Sequence, residues 1–105
     1  MKILFDQGAP VPLRGMLPGH EIATAFERGW SALENGELMR AAEAENFDVL
    51  LTTDQNLRYQ QNLPQRRLAI VVLKSASWPR IRLRIKDISA AIDAVQAGGY
   101  LEVDV

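Results

Sequence analysis

The stretch Phe47-Asp48-Val49-Leu50-Leu51-Thr52-Thr53-Asp54-Gln55-Asn56-Leu57 decides the fold. Its first half is a short apolar run. Its second half switches at once to hydroxyls, a carboxylate and amides. A run such as Val49-Leu50-Leu51, with no polar alternation, is the pattern of a strand buried on both faces. The polar cluster then falls at the strand's carboxyl end, where open parallel sheets place their sites. The chain opens with the same grammar, since Ile3-Leu4-Phe5 runs straight into Asp6. If these two strands are parallel and near one another, Asp6 and Asp54 share one rim of the sheet.

Outward from this stretch, the remaining elements follow from periodicity and punctuation. Residues 2–5 are the first strand, and the turn-rich 7–12 leads to one or two helical turns over Val11 to Met16. A turn at 17–20 precedes a second short strand over Glu21 to Ala25, then a single helical turn stopped by Gly29. A helix starts at Asn35 as N-cap, with Glu34 and Glu37 at the positive end of its dipole. It ends at Glu45-Asn46, Asn46 being suited to the left-handed conformation of a helix C-terminus. The strand at 48–52 follows. A short helix is expected over Leu57 to Leu63, stopped before Pro64, and residues 65–67 form a solvated linker. Leu68 to Leu73 is the most continuous buried strand, rich in β-branched residues. Beyond a loop at 75–79, Arg80 to Lys86 has a strand's alternation. Ile81, Ile85, Ile88, Ile92 and Val95 also fit helical spacing, and the helix template, covering more residues, predicts a helix over about 80–97 stopped by Gly98-Gly99. Tyr100 to Asp104 alternates as a terminal edge strand, whose open edge offers pairing to a second copy and hence a homodimer. The order of elements predicts one α/β domain over residues 1–105, with a mainly parallel sheet of four to five strands.

Composition narrows the classes. The chain has 105 residues, 48% hydrophobic and 24% charged, which suits a globular protein with a real core. Twelve Lys+Arg stand against 13 Asp+Glu, a net charge of -1, so any nucleic-acid binding must come from a local basic patch. Without cysteine there is neither a disulfide nor a thiolate metal site. No apolar stretch approaches the roughly 20 residues that span a bilayer. Asp6 interrupts the opening apolar run too early for a signal peptide, so the expected location is cytoplasmic, with no membrane partner.

Two carboxylates facing each other at strand ends repel unless a cation or proton intervenes. Mg²⁺ or Mn²⁺ takes one or a few carboxylates plus waters, and can activate water and stabilise charge on a phosphoryl group. Asp6 and Asp54 are therefore candidate metal ligands and catalytic acids, with Glu37 at the middle helix as the third. Thr53 and Thr52 offer hydroxyls to a phosphate, Asn56 an amide to a metal-bound water or a ligand, and Lys74 a cation at the end of the strongest strand. The bland alternative is that each Asp caps the helical turn after it. Arg58, Arg66, Arg67, Lys74, Arg80, Arg82, Arg84 and Lys86 gather in the second half, where with Tyr59 and Trp78 they could track RNA, cations on phosphates and rings on bases. A solvated charged face is the commoner meaning of such a run. His20 has no sequence partners for a ligand role.

Lys2-Ile3-Leu4-Phe5-Asp6-Gln7-Gly8, Gly19-His20-Glu21-Ile22 and above all Leu51-Thr52-Thr53-Asp54-Gln55-Asn56-Leu57 resemble a small bacterial PIN-like domain over roughly residues 1–75. These are compact relatives of PIN-domain ribonucleases, often encoded near toxin–antitoxin genes. The resemblance implies a three-layer α/β/α sandwich and an acidic Mg²⁺ or Mn²⁺ site that cleaves RNA phosphodiesters. It also implies a toxin's role, with a protein antitoxin as partner. Asp6 matches the acid after the first strand and Asp54 the acid after the later one. The commoner pattern has Asp at the helix start, where this chain has Asn35, with Glu37 two residues on. It often has Glu where this chain has Gln7. The competing expectation is a catalytically degenerate PIN-like module acting through a partner or a dimer. A receiver-like phosphoacceptor would need adjacent acids after the first strand, which Asp6-Gln7 does not supply.

Overall fold

The computed structural model describes residues 1–57 and 67–105. Five strands form one sheet: β1 (Lys2–Phe5), β2 (Glu21–Thr24), β3 (Val49–Thr52), β4 (Ala69–Leu73) and β5 (Tyr100–Val103). Their order across the sheet is β2-β1-β3-β4-β5, and every pair is parallel. The sheet grows outward from β1 in both directions, so the strand order reverses between β1 and β3. Such a reversal opens a crevice at the carboxyl ends of the two strands, the usual ligand position in an open α/β sheet. Among the described residues the helices are α1 (Asn35–Ala44), α2 (Trp78–Ile81) and α3 (Ile85–Ala94), with 3-10 segments at Val11–Met16 and Arg82–Arg84. None of these helices is long and apolar enough to cross a membrane.

The continuous apolar runs predict the centre of the sheet, and β3 and β4 are buried at every position. Alternate residues of each strand feed two separate cores, as the period of two requires. Ile3, Phe5, Val49, Leu51, Val71 and Leu73 pack with Leu13 and Leu17 of the first crossover and with Ile81, Ile88 and Ile92 of α2 and α3. Leu4, Leu50, Ile70 and Val72 pack with Leu38, Met39 and Ala42 of α1 and with Phe47. Each fully buried side chain of this size contributes about 1.5–3 kcal/mol relative to exposure.

Element ends differ from expectation in informative ways. The N-cap of α1 is Glu34 rather than Asn35, in a capping box with Glu37. The Glu34 N–H donates to Glu37 Oε1 at 3.3 Å. A Glu-x-x-Glu spacing satisfies the first turn one residue earlier, leaving the Asn35 side chain for another partner. At the other end Asn46 takes φ 63°. Its N–H bonds the Glu43 carbonyl at 3.0 Å, and that of Phe47 the Ala42 carbonyl at 2.9 Å, the paired bonds of a left-handed helix stop. The helix expected over 80–97 is divided into α2, a 3-10 turn and α3, and it ends at Ala94. Val95 is extended with ψ 135°, and Gly98 serves the return to β5 instead of a cap, its N–H bonding the Arg67 carbonyl at 2.7 Å. The helix expected over 57–63 lies, after Leu57, outside the described residues, as do Arg58, Tyr59 and Arg66.

Candidate site at the β1–β3 rim

β1 and β3 pair with Phe5 opposite Leu51. The ladder runs one step further, the Asp6 N–H bonding the Leu51 carbonyl at 2.9 Å. Asp6 is thereby set beside Thr52, whose hydroxyl donates to Asp6 Oδ2 at 2.9 Å. The same hydroxyl oxygen accepts the Asp54 N–H at 3.1 Å. Thr52 is 1% exposed, so the middle of this bridge is buried while its two carboxylate ends are half-exposed. Asp54 Oδ2 accepts Asn35 Nδ2 at 2.9 Å. One continuous path, Asn35–Asp54–Thr52–Asp6, thus crosses from the start of α1 to the end of β1.

The capping alternative is realised in part at Asp54, whereas the 3-10 segment after Asp6 has Pro10 at its N-cap and takes no side-chain cap. Asp6 Oδ1 accepts the Gln7 N–H at 2.8 Å and Asp54 Oδ1 accepts the Asn56 N–H at 3.0 Å. Each acid therefore gives one oxygen to its own loop and the other to the path between the loops. A carboxylate oxygen has two lone pairs, so all four keep capacity for a further partner. Gly8 allows the loops to approach: a Cβ there would lie 2.2 Å from Thr53 Oγ1.

The other expected site residues divide. Thr53 is half-buried against Gly8, and Asn56 is exposed on the same rim. Lys74 stands at the carboxyl end of β4. Its carbonyl accepts Gln55 Nε2 at 3.2 Å, while its ammonium lies 3.3 Å from Asp104 Oδ1. Arg58 lies outside the described residues. Glu37 serves the Glu34 backbone, and among the described residues no three His, Cys, Asp or Glu side chains converge as a metal-binding group. What α1 contributes at Asp54 is Asn35. The sequence signal for it was only that an amide stands where such domains commonly have an acid. His20 sits just before the amino-terminal end of β2, away from the carboxyl-end rim. Its Nδ1 is 3.1 Å from the Met1 ammonium and its Nε2 3.9 Å from Asp93 Oδ1. Arg80, Arg82, Arg84 and Lys86 are exposed, Arg84 lying 3.7 Å from Asp87. Trp78 is half-buried against the core, and Trp30 meets Phe47 edge to face at 6.1 Å.

Beside Asp6 lies a cleft of about 550 Å³, lined by Asp6, Gln7, Ala9, Val11, Arg14 and the segment Thr24-Ala25-Phe26-Glu27. Arg14 and Glu27 form a two-pronged ion pair across it, with Nη1 to Oε2 at 3.1 Å and Nη2 against Oε1. Glu27 Oε1 also takes the Thr24 N–H at 2.9 Å. The hydrogen bond from Arg14, helped by that from the Thr24 backbone, holds the Glu27 carboxyl down at about 2. The Arg14 guanidinium is raised in turn by its bond to Glu27. Compared with protein-family models, with curated proteins and with solved structures, the chain matches none of them.

Proposed function

We propose that the chain is a PIN-like domain, a three-layer α/β/α sandwich whose β1–β3 rim is a metal-dependent ribonuclease site. The observation that carries this reading is the hydrogen-bonded path that ties Asp6 to Asp54 through Thr52 at the reversal of strand order. The donor chemistry fits a hard cation. Mg²⁺ keeps several waters and needs only one or two protein carboxylates, the rest of its shell coming from water and substrate phosphate. Asp6 and Asp54 would hold the ion. Once bound, it supplies charge neutralisation at the scissile phosphodiester and a more acidic water. Thr52 fixes the Asp6 carboxylate by donating to Oδ2, and Asn35 fixes Asp54 in the same way. Thr53, Asn56 and Lys74 would meet the RNA backbone from the same rim; Arg58, a further candidate for that role, lies outside the described residues. Glu37 stays with the α1 cap. In a toxin–antitoxin pair, a protein antitoxin would cover this rim.

The test is Mn²⁺-dependent cleavage of single-stranded RNA by the wild type and by Asp54→Asn. Loss of cleavage in the variant is expected. Equal rates in both, or none with any divalent ion, overturn the proposal. A second reading, a catalytically degenerate interaction module, is favoured by Asn35 standing at Asp54 where an acid would complete the cluster. Calorimetric titration with Mn²⁺ separates the two. Binding that disappears in Asp6→Asn excludes the degenerate module, and silence in the wild type favours it.

A further inference from the structure

We propose that the cleft between the carboxyl ends of β1 and β2 receives one unpaired nucleobase, with Phe26 as its stacking face. The idea rests on the ribonuclease reading for what happens at Asp6, but the binding itself needs no metal. Phe26 is 77% exposed, the ring standing in solvent at the rim of the sheet.

The segment beneath that ring is tightly built. The Thr24 hydroxyl accepts the Glu27 N–H at 3.1 Å, and the Thr24 N–H returns to Glu27 Oε1 at 2.9 Å. This is a capping box on a single helical turn. The turn closes with the Gly29 N–H on the Phe26 carbonyl at 3.0 Å and the Trp30 N–H on the Ala25 carbonyl at 2.8 Å. Gly29 has the positive φ, 74°, that this stop requires. Arg14 clamps Glu27 from the neighbouring crossover. The backbone on both sides of Phe26 is therefore held in place, and the exposed ring projects from a well-bonded turn.

The cleft matches the chemistry of a base. Ala9, Val11, Ala25 and Phe26 offer apolar surface to a flat ring, while Gln7, Arg14 and Glu27 offer donors and acceptors to its polar edge. Asp6 lines the cleft and also belongs to the Thr52 path, so the two sites are continuous. Because Asp6 and Phe26 line the same cleft, a base stacked on Phe26 leaves the Asp6 side open to a phosphate of the same strand. Bases within a duplex are stacked and paired, so the substrate class is single-stranded RNA or an unpaired loop.

The experiment is fluorescence anisotropy of a short labelled single-stranded RNA in EDTA, with an abasic strand of equal length as control. Phe26→Ala should weaken binding by about tenfold, the range expected for one lost base–aromatic stack. Phe26→Trp should retain it, and the abasic strand should bind wild type and Phe26→Ala equally. Thermal melts should match the wild type, because the ring is exposed. Unchanged affinity in Phe26→Ala overturns the proposal, as does no RNA binding in the wild type. Equal rescue by Phe26→Leu also overturns it and points to an apolar protein contact. Phe26-dependent binding without Mn²⁺-dependent cleavage removes the nuclease reading alone, and cleavage indifferent to Phe26 removes the base cleft alone.

Discussion

Thr52 has a single hydroxyl proton, and it goes to Asp6. Thr52→Val keeps the shape and removes that donor along with the acceptor for the Asp54 N–H. The expected loss is about 1–3 kcal/mol in urea unfolding, the usual cost of stranding buried polar groups. Thr52→Ser should recover most of it, losing only about 0.8 kcal/mol for a methyl group. Asn35→Asp tests the other end of the path. It sets a carboxylate where an amide now stands 2.9 Å from Asp54 Oδ2. Like charges at that distance disfavour joint ionisation. The variant should melt lower than wild type without metal and bind Mn²⁺ more tightly by calorimetry. Asp6 and Asp54 were legible in the sequence because each follows an unbroken apolar run. Asn35 was legible only as an amide where the resemblance expects an acid; its bond to Asp54, 19 positions away, has no local signature. Glu37 fits both a site acid and a charge at the positive end of the helix dipole, and its Oε1 takes the Glu34 N–H in the capping box of α1.

At the scale of elements, β2 is an edge strand. The Glu21 and Ala25 N–H groups bond the Met1 and Phe5 carbonyls of the β1 segment, so the backbone of Ile22 and Thr24 faces outward. Arg14 Nη2 donates to the Ile22 carbonyl at 2.8 Å, Glu27 takes the Thr24 N–H, and the Arg28 N–H bonds the Thr24 carbonyl at 3.2 Å. One ion pair thus occupies hydrogen-bonding groups that a foreign strand would use. Arg14→Ala should associate with rising concentration, seen by light scattering, while the wild type does not do so through this edge. The pair is also pH-linked. The Glu27 carboxyl is depressed to about 2, so its stabilisation is full above the ordinary carboxylate range near pH 4.3–4.5. It is lost as pH falls from there toward 2. The difference in melting temperature between wild type and Glu27→Gln should be flat above about pH 5 and shrink toward pH 2. The helical turn at 25–29 was readable from Gly29, whereas this edge seal joins two crossovers and has no sequence pattern.

For the whole molecule, the apolar runs announced a sheet covered on both faces, and Val49–Thr52 and Ala69–Leu73 lie at its centre. The strand order was not legible, because it depends on which side each crossover takes, and no residue encodes that locally. The division of 80–97 escaped for a related reason: Ile81, Ile88 and Ile92 all reach one core, so the hydrophobic spacing is the same for a broken helix as for a straight one. Gly8 has a global role, since it lets the loop after β1 lie against the loop after β3. Gly8→Ala should destabilise the fold by about 1–3 kcal/mol, the range for overpacking. Thr53→Ala in the same chain should restore much of that loss, because the Thr53 Cβ is an acceptable 3.5 Å from the added methyl. A double-mutant cycle by urea unfolding measures the coupling.

That contact makes the two acid-bearing loops a single structural part. Transplanting either one alone from another protein brings a side chain into a gap sized for hydrogen, and the graft must shift one aspartate away from the other. A designer who wants new chemistry at this rim has to move both loops together or leave both alone.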